Sequence, residues 1–520
     1  MGIKDWQGGV IRKDPVTPSG PWQYSTASGM WTLTQALDYR KQDNWPTQGR
    51  IQPAFQTYLI QSDASNSSGT LSQVTNSPAW YYQHTDGTIY TTPNGNDVAN
   101  VQTASNPTNM VTKLTSSGDG ISAVNNIWGT QSGSDMYSVY PYRGNDPSTN
   151  LFAISYGYYY AYNANSMWFH TLDGSLNKVK NFQWRYSNYY LGNQGTLYTV
   201  NGSSDDYYLI FSDYASSPSS GTNIRIVTAS LTGTSLSFSN GYRIGGSNNN
   251  GTTVKAFVRA GTGSTFYFIA NCAENINPGN SGADVVMLLK YTIGSGIQWT
   301  RNHYTSGQNN YASSCIQLDS SENVYASGRV RKNDNWEPLI LKYNSSGTLQ
   351  WQKTFAANAE ARGGVMISNR FFIAMSYNPG TGTKLYLMEI NIANGSIIWQ
   401  NAIAPASGYS LSFMDNCLFE DKDGKLSVNF KLSDTGSVIQ GTGVAFGTGI
   451  DLDGGTGGGV IGSALTYASS TDVTLVNYTS GTNSTNPVHG TFSVGNPNDY
   501  TGSQLNTSSV QQRVTNINNT

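Results

Sequence analysis

Residues 314–351 read SCIQLDSSENVYASGRVRKNDNWEPLILKYNSSGTLQW. Four short apolar runs, around Ile316, Tyr325, Ile340 and Trp351, alternate with stretches of Asp, Ser, Asn, Pro and Gly. Runs this short, bounded by turn residues, predict four strands in an antiparallel meander. The same plan returns along the chain. A turn followed by a small-to-aromatic strand occurs as DGTIYTT, STNLFAIS, QGTLYTV, GSTFYFIA, SENVYASG, NRFFIAMS and DGKLSVNF, and aligning the copies marks Tyr90, Phe152, Tyr198, Tyr267, Tyr325, Phe372 and Ser427. The gaps between these marks are 62, 46, 69, 58, 47 and 55 residues.

A second phrase follows the first six marks by 26 to 40 residues and ends on a large aromatic, at Trp128, Trp184, Phe238, Trp299, Trp351 and Trp399. In its two clearest copies, LLKYTIGSGIQW and LILKYNSSGTLQW, Lys290 and Lys342 precede the Trp by nine residues. Four strands per unit, repeated seven times, is the pattern of a propeller built from four-stranded blades. The expected fold is therefore all-β, a seven-bladed β-propeller over about 79–476, with the marked aromatics packed between blades as its core. A lone blade cannot bury both faces, so such a ring is stable only when closed. The seventh unit has Ser427 in place of the aromatic and a Gly-dense continuation, so closure is expected to borrow a strand, with IQPAFQTYLI near Tyr58 in the 51–78 linker as the candidate.

Composition agrees with strands. Charged residues are 12% of the 520, against about 25% in ordinary domains, while Gly numbers 56 and Tyr 34. Thr, Tyr and Val suit a pleated, half-buried surface, and Gly, Asn and Ser suit its turns. A net charge of −2 offers no basic face for phosphate, so no nucleic-acid partner is expected. No run approaches the ~18 apolar residues of a spanning helix, so no membrane insertion is expected either. The start lacks the apolar stretch of a secretory leader, which predicts synthesis and assembly in a cytoplasm. Cys272, Cys315 and Cys417 are odd in number and widely spaced, and read as buried thiols rather than a disulfide framework.

The two ends differ from the repeats. Residues 1–50 are rich in Pro and Trp and hold one expected helix, TLTQALDYRKQ, where Thr32 and Gln35 form a capping box and Leu33, Ala36 and Leu37 make an apolar face. The polar extension 477–520 is compatible with an arm, added strands or disorder.

Catalytic signatures are sparse. The four histidines fall at unrelated repeat positions, and no zinc spacing emerges. Two D-x-D-G tracts, at 421–424 and 451–454, open like calcium loops, but Leu432 and Gly462 stand where a twelfth acidic ligand belongs. No metal and no cofactor are expected, and no nucleophile is paired with a base. The Tyr-rich stretch YGYYYAYNANSMW suits either sugar stacking or packing between blades, with packing favoured by ordinary burial.

The phrase DSSENVYASG followed by LKYNSSGTLQW resembles β-propeller repeats of bacterial and phage surface proteins. The opening STASGMWTLTQALDYRKQDNWP is similar to a short segment of structural and tail-fibre proteins of tailed phages, marine ones especially. That resemblance implies a non-enzymatic virion protein of the tail or its appendages, present as a homo-oligomer among other virion proteins, with the propeller as scaffold or as a face for a host glycan or protein. Trp22, Trp31, Leu33, Leu37, Trp45 and Pro46 would form the docking segment. A tail-borne polysaccharide-degrading enzyme and a bacterial surface adhesin are the alternatives. Acidic pairs for glycoside cleavage converge in space and leave no sequence signature.

Overall fold

The computed structural model describes strands between Gln56 and Ile517, tight turns such as 260–264, 319–323, 344–348 and 391–396, and side chains chiefly from 207 to 428. Residues 1–55 lie outside the described residues, and with them the expected helix and Trp22, Trp31, Leu33, Leu37, Trp45 and Pro46; Trp128 lies outside as well.

The protein is all-β, and the described strands form seven antiparallel sheets. β1 is Gln56–Asp63. Sheet one holds β2 to β5, Trp80–Gln83, Ile89–Thr92, Asn109–Leu114 and Val124–Ile127; sheet two holds β6 to β9, Ser134–Arg143, Leu151–Tyr159, Ala164–Leu172 and Lys178–Arg185. Sheet three is β10 to β13, Tyr189–Thr199, Asp206–Ala215, Gly221–Thr232 and Ser235–Gly245; sheet four is β14 to β17, Thr252–Arg259, Thr265–Glu274, Ala283–Thr292 and Gly296–Tyr304. Sheet five is β18 to β21, Tyr311–Leu318, Val324–Lys332, Asn335–Tyr343 and Leu349–Phe355. Sheet six is β22 to β25, Ala359–Ile367, Arg370–Tyr377, Lys384–Ile390 and Ile397–Ile403. Sheet seven takes β26 to β28, Tyr409–Glu420, Leu426–Asp434 and Thr442–Ile450, and its fourth strand is β1, from the other end of the chain.

The segment after Ile450 supplies fifth strands. β29 (Tyr467–Ala468) joins sheet five, β30 (Thr474–Asn477) sheet four, β31 (Val488–Phe492) sheet three, β32 (Asn498–Asp499) sheet two and β33 (Gln511–Ile517) sheet seven. A boundary at residue 476 therefore falls inside β30, because the chain leaves sheet seven at Ile450 and then pairs with other sheets.

Side-chain alternation explains the stacking of the sheets. On β23, Phe371, Ile373 and Met375 enter a core shared with Tyr325, Ile340 and Trp351 of sheet five, while Phe372 and Ala374 enter another shared with Leu418, Leu426 and Val428 of sheet seven. β15 behaves alike: Phe266 and Phe268 face sheet three, Tyr267 and Ile269 face sheet five. Strands buried on both faces read as unbroken apolar runs, as FFIAM and TFYFIA do. Each such side chain contributes about 1.5–3 kcal/mol on burial. The first strands pack together, β14 on β18, β18 on β22 and β22 on β26. Their approach is close enough to require glycine, since a Cβ on Gly363 would lie 2.7 Å from the Cys417 amide nitrogen. Cys315 and Cys417 are buried at this contact, neither of them in a disulfide.

The strand pairing corrects two alignments. Tyr198 lies on β10, a first strand, whereas Tyr267, Tyr325 and Phe372 lie on second strands. The matching residue of sheet three is Tyr207, which pairs with Ala229 and through it with Phe238. QGTLYTV imitates the phrase because it too is a turn entering a strand. With Tyr207 the first gaps become 62, 55 and 60 residues. In sheet two the row through Phe152 runs to Thr171 and Lys180, so Trp184 sits four residues beyond the position of Trp299. Trp184 instead fills the core between sheets two and three, edge-on to Phe211 and Phe238 at 5.4 and 5.2 Å.

Candidate functional site

The repeated residues assemble into a fastening between sheets. Tyr267, Lys290 and Trp299 lie side by side across β15, β16 and β17, and Tyr325, Lys342 and Trp351 do so across β19, β20 and β21. In sheet four, Lys290 Nζ and Trp299 Nε1 both donate to the Ser345 carbonyl, each at 3.1 Å, in the β20–β21 turn of the next sheet. In sheet five, Lys342 Nζ and Trp351 Nε1 donate to the Ile392 carbonyl in the β24–β25 turn, at 2.6 and 3.2 Å. The nine-residue spacing of Lys and Trp is thus a hairpin register: it puts ammonium and indole on one face, aimed at one oxygen.

Sheet six keeps the geometry and changes the chemistry. Glu389 takes the place of the Lys, beside Phe372 and Trp399. Trp399 Nε1 donates to the Leu452 carbonyl at 3.1 Å, and the cation arrives from β23, as Arg370 Nη2 reaches the same oxygen at 2.9 Å. Glu389, 6% exposed, holds that guanidinium through two bonds of 2.8 and 2.7 Å. The cation lies over the aromatic of its row in all three sheets: Lys290 over Tyr267 at 5.0 Å, Lys342 over Tyr325 at 5.1 Å, Arg370 over Phe372 at 5.3 Å. Sheet three has Ala229 and Phe238 at the corresponding positions, which carry neither cation nor indole.

The row tyrosines are polar anchors as well. Burial, then the Glu322 carboxylate, pushes the Tyr267 hydroxyl far above its usual range, and it donates to Glu322 at 3.1 Å. Burial, then Asp319, does the same for Tyr325, which donates to Asp319 at 2.9 Å. Further along β17, His303 is fully buried and contacts the Tyr343 hydroxyl; burial lowers the imidazole to about 3, so it stays neutral.

A second feature lies toward the opposite edge of sheets five and six. β22 carries a bulge at Arg362, one of several on first strands, others falling at Lys255 of β14 and between Ala312 and Cys315 of β18. A bulge re-aims its extra side chain. Glu360 thereby receives Arg362 from its own strand and Arg329 from β19, and Arg362 also reaches the Ser376 hydroxyl at 3.4 Å. The guanidinium of Arg329 lies 4.4 Å from the Trp336 ring centre and that of Arg331 5.9 Å. The side chains of Arg329, Glu360 and Arg362 are 31, 25 and 30% exposed. Guanidinium groups held this way present fork-shaped donors suited to carboxylate, sulfate or phosphate.

The Lys–Trp spacing is legible in the sequence, whereas the Arg329–Glu360–Arg362 group and the Arg370–Glu389 pair are not. Their traces there are Glu389 standing in a Lys position and charges concentrated in GRVRK and AEAR within a charge-poor chain. Among the described residues no three His, Cys, Asp or Glu side chains gather as a metal site.

No family model and no curated protein matches the chain. Among solved structures it is similar to a polysaccharide lyase PL25 ulvan lyase, at 8% identity over 74% of this chain and 95% of that one, with a TM-score of 0.41. The WD40 domain of SCAP from fission yeast is 8% identical over 75% of this chain and 98% of that one, TM-score 0.34. A subtype N10 neuraminidase-like protein of A/little yellow-shouldered bat/Guatemala is 12% identical over 60% of this chain and 97% of that one, TM-score 0.34. At these scores the likenesses carry no argument about activity, and the description of the fold rests on the strand pairing itself.

Proposed function

We propose that this chain is a non-enzymatic structural protein of a tailed-phage virion, whose seven sheets are the blades of one propeller closed by β1, and which makes contacts rather than transforming a substrate. The observation that supports a structural role is the fastening between sheets: Lys290 and Lys342, with their tryptophans, each hold a carbonyl in a turn of the following sheet, and Arg370 with Trp399 holds the Leu452 carbonyl just past the end of β28. The recurrent polar chemistry of the repeat is spent on rigidity. A ring is favoured by the pairing of β1 with β28, Gln56–Ile60 opposite Thr448–Val444, which joins the first described strand to the last repeat unit.

The virion assignment is supported by the opening segment around Trp22 to Pro46, with residues 1–50 as the docking piece on other virion proteins or on further copies of this chain. The contact face toward the host is the Arg329–Glu360–Arg362 group beside Trp336, whose chemistry suits anionic groups on a cell surface. Mass spectrometry of purified particles tests the assignment, with the protein expected in them; its absence from particles overturns it. Deleting residues 1–50 is expected to abolish incorporation while the β-sheet circular dichroism persists.

A further inference from the structure

We infer that the strands β29 to β33 act together as a strap on the fourth-strand edges of the sheets, the first four taking the sheets in the reverse of their chain order, and lock the fold from outside. As the chain advances from β29 to β32, the sheet it joins steps down from five to four, three and two, and β33 ends on sheet seven. Each attachment is antiparallel to the fourth strand of its sheet: β29 on β21, β30 on β17, β31 on β13, β32 on β9 and β33 on β1. Five unrelated segments would have no reason to share one side and one orientation, nor the first four one direction of travel. A single strand path does.

The attachments are made through backbone, which suits a segment of Thr, Asn, Ser and Gly, and a side chain fixes one of them. The Asn496 amide oxygen accepts the Phe238 N–H at 2.8 Å, and Val494 packs on the core that contains Phe238 and Trp184. The strongest consequence falls on β1. Its pairing with β28 covers Gln56–Ile60, whereas its pairing with β33 covers Thr57–Asp63. The strand that joins the two ends of the repeat array is therefore gripped on both edges by segments from the C-terminal half. The strap also occupies fourth-strand edges that would otherwise be templates for pairing with another copy.

Two measurements test this, one on the chain of 520 residues and one on a shortened chain. A Tyr242→Cys, Thr491→Cys variant and an Ile60→Cys, Val514→Cys variant join residues that are register partners. A short bifunctional thiol reagent is expected to close both pairs within one chain, giving a species of monomer mass on denaturing gels whose intact mass shows one reagent bridging both introduced thiols. Closure between two chains, or no closure, overturns the strap as a device of the single chain. A chain ending at residue 466 is expected to unfold at least tenfold faster and to self-associate with rising concentration. Unchanged unfolding rate and unchanged mass would sink the locking role, and the cysteine pairs report on the strap even if the shortened chain fails to fold.

Discussion

Sheets five and six solve one problem in two ways. Each holds a carbonyl beneath a tryptophan; sheet five does so with Lys342, whose ammonium bonds Ile392 in a turn of sheet six, and sheet six with Arg370, whose guanidinium bonds Leu452 just past the end of β28 while Glu389 secures it from behind. A flexible ammonium reaches from the third strand unaided. A guanidinium reaching from the second strand needs a carboxylate in the vacated position to orient it. What is preserved is therefore a positive charge at a point in space, and the residue that supplies it is free to move between strands as long as its neighbour changes in step.

The indole is the part common to both, so its loss should cost most. Trp351→Ala removes a side chain that is 9% exposed, packs in the core between sheets five and six and caps Ile392. We expect a loss of about 3–5 kcal/mol in chemical denaturation. A loss below about 1 kcal/mol would mean that Trp351 merely covers the surface and that the fastening does not depend on it.

The exchange of cations can be tested by a double-mutant cycle. Glu389→Lys alone sets two cations together in a site built for a pair, at a cost of about 3 kcal/mol or more. Adding Arg370→Gln leaves a single ammonium where sheet five has Lys342, so the double variant should recover about 1–3 kcal/mol relative to additivity. Additive losses would show that the two sheets are not chemically equivalent.

Two turns, one beneath a tryptophan and one in the open, separate steric from conformational demands. Gly347 has φ +79°, and a Cβ there would lie 2.8 Å from the Trp299 ring; Gly294 has φ +84° and open space around it. Gly294→Ala should therefore cost about 1 kcal/mol, the penalty of a left-handed backbone alone. Gly347→Ala should cost about 1–3 kcal/mol more, because the ring must also shift. Equal losses would place the whole demand in the backbone.

This contrast also explains what was legible in the sequence. Lys342 and Trp351 recur at a fixed separation because both lie on one hairpin, and a hairpin register is local. Arg370 and Glu389 belong to adjacent strands, yet the Leu452 carbonyl that Arg370 holds is far along the chain, so only the odd Glu389 hints at the exchange. The four-strand plan and the borrowed strand near Tyr58 could be read from apolar runs and a degenerate last unit. The Tyr198 alignment failed because an aromatic after a turn looks alike on a first and a second strand, and the Trp184 alignment because an aromatic on a fourth strand does not reveal its register. Arg329, Glu360 and Arg362 converge from two sheets through a bulge, and a bulge has no sequence signature in ARGG beyond its glycines.

An effect as small as that at Gly294 is expected at the turn between β18 and β19. One Asp319 oxygen accepts the Ser321 and Asn323 backbone N–H groups, both at 2.9 Å, and the other accepts the Asn323 amide at 2.8 Å and the Tyr325 hydroxyl at 2.9 Å. Burial pushes this carboxyl up, but the hydrogen bonds from Asn323, Tyr325 and Ser321 outweigh it and hold it below its ordinary 3.8. A carboxylate with a depressed folded-state value binds protons more weakly than the unfolded chain, so its contribution is complete above 3.8 and is lost as pH falls through the folded value. Asp319→Asn keeps one acceptor and turns the other into a donor facing two donors, which should cost about 1 kcal/mol near neutral pH. Denaturation of parent and variant side by side should show that difference shrinking once the pH drops below 3.8. A gap that stays constant into that range would mean that the side chain's shape, rather than its charge, holds the turn against Tyr325.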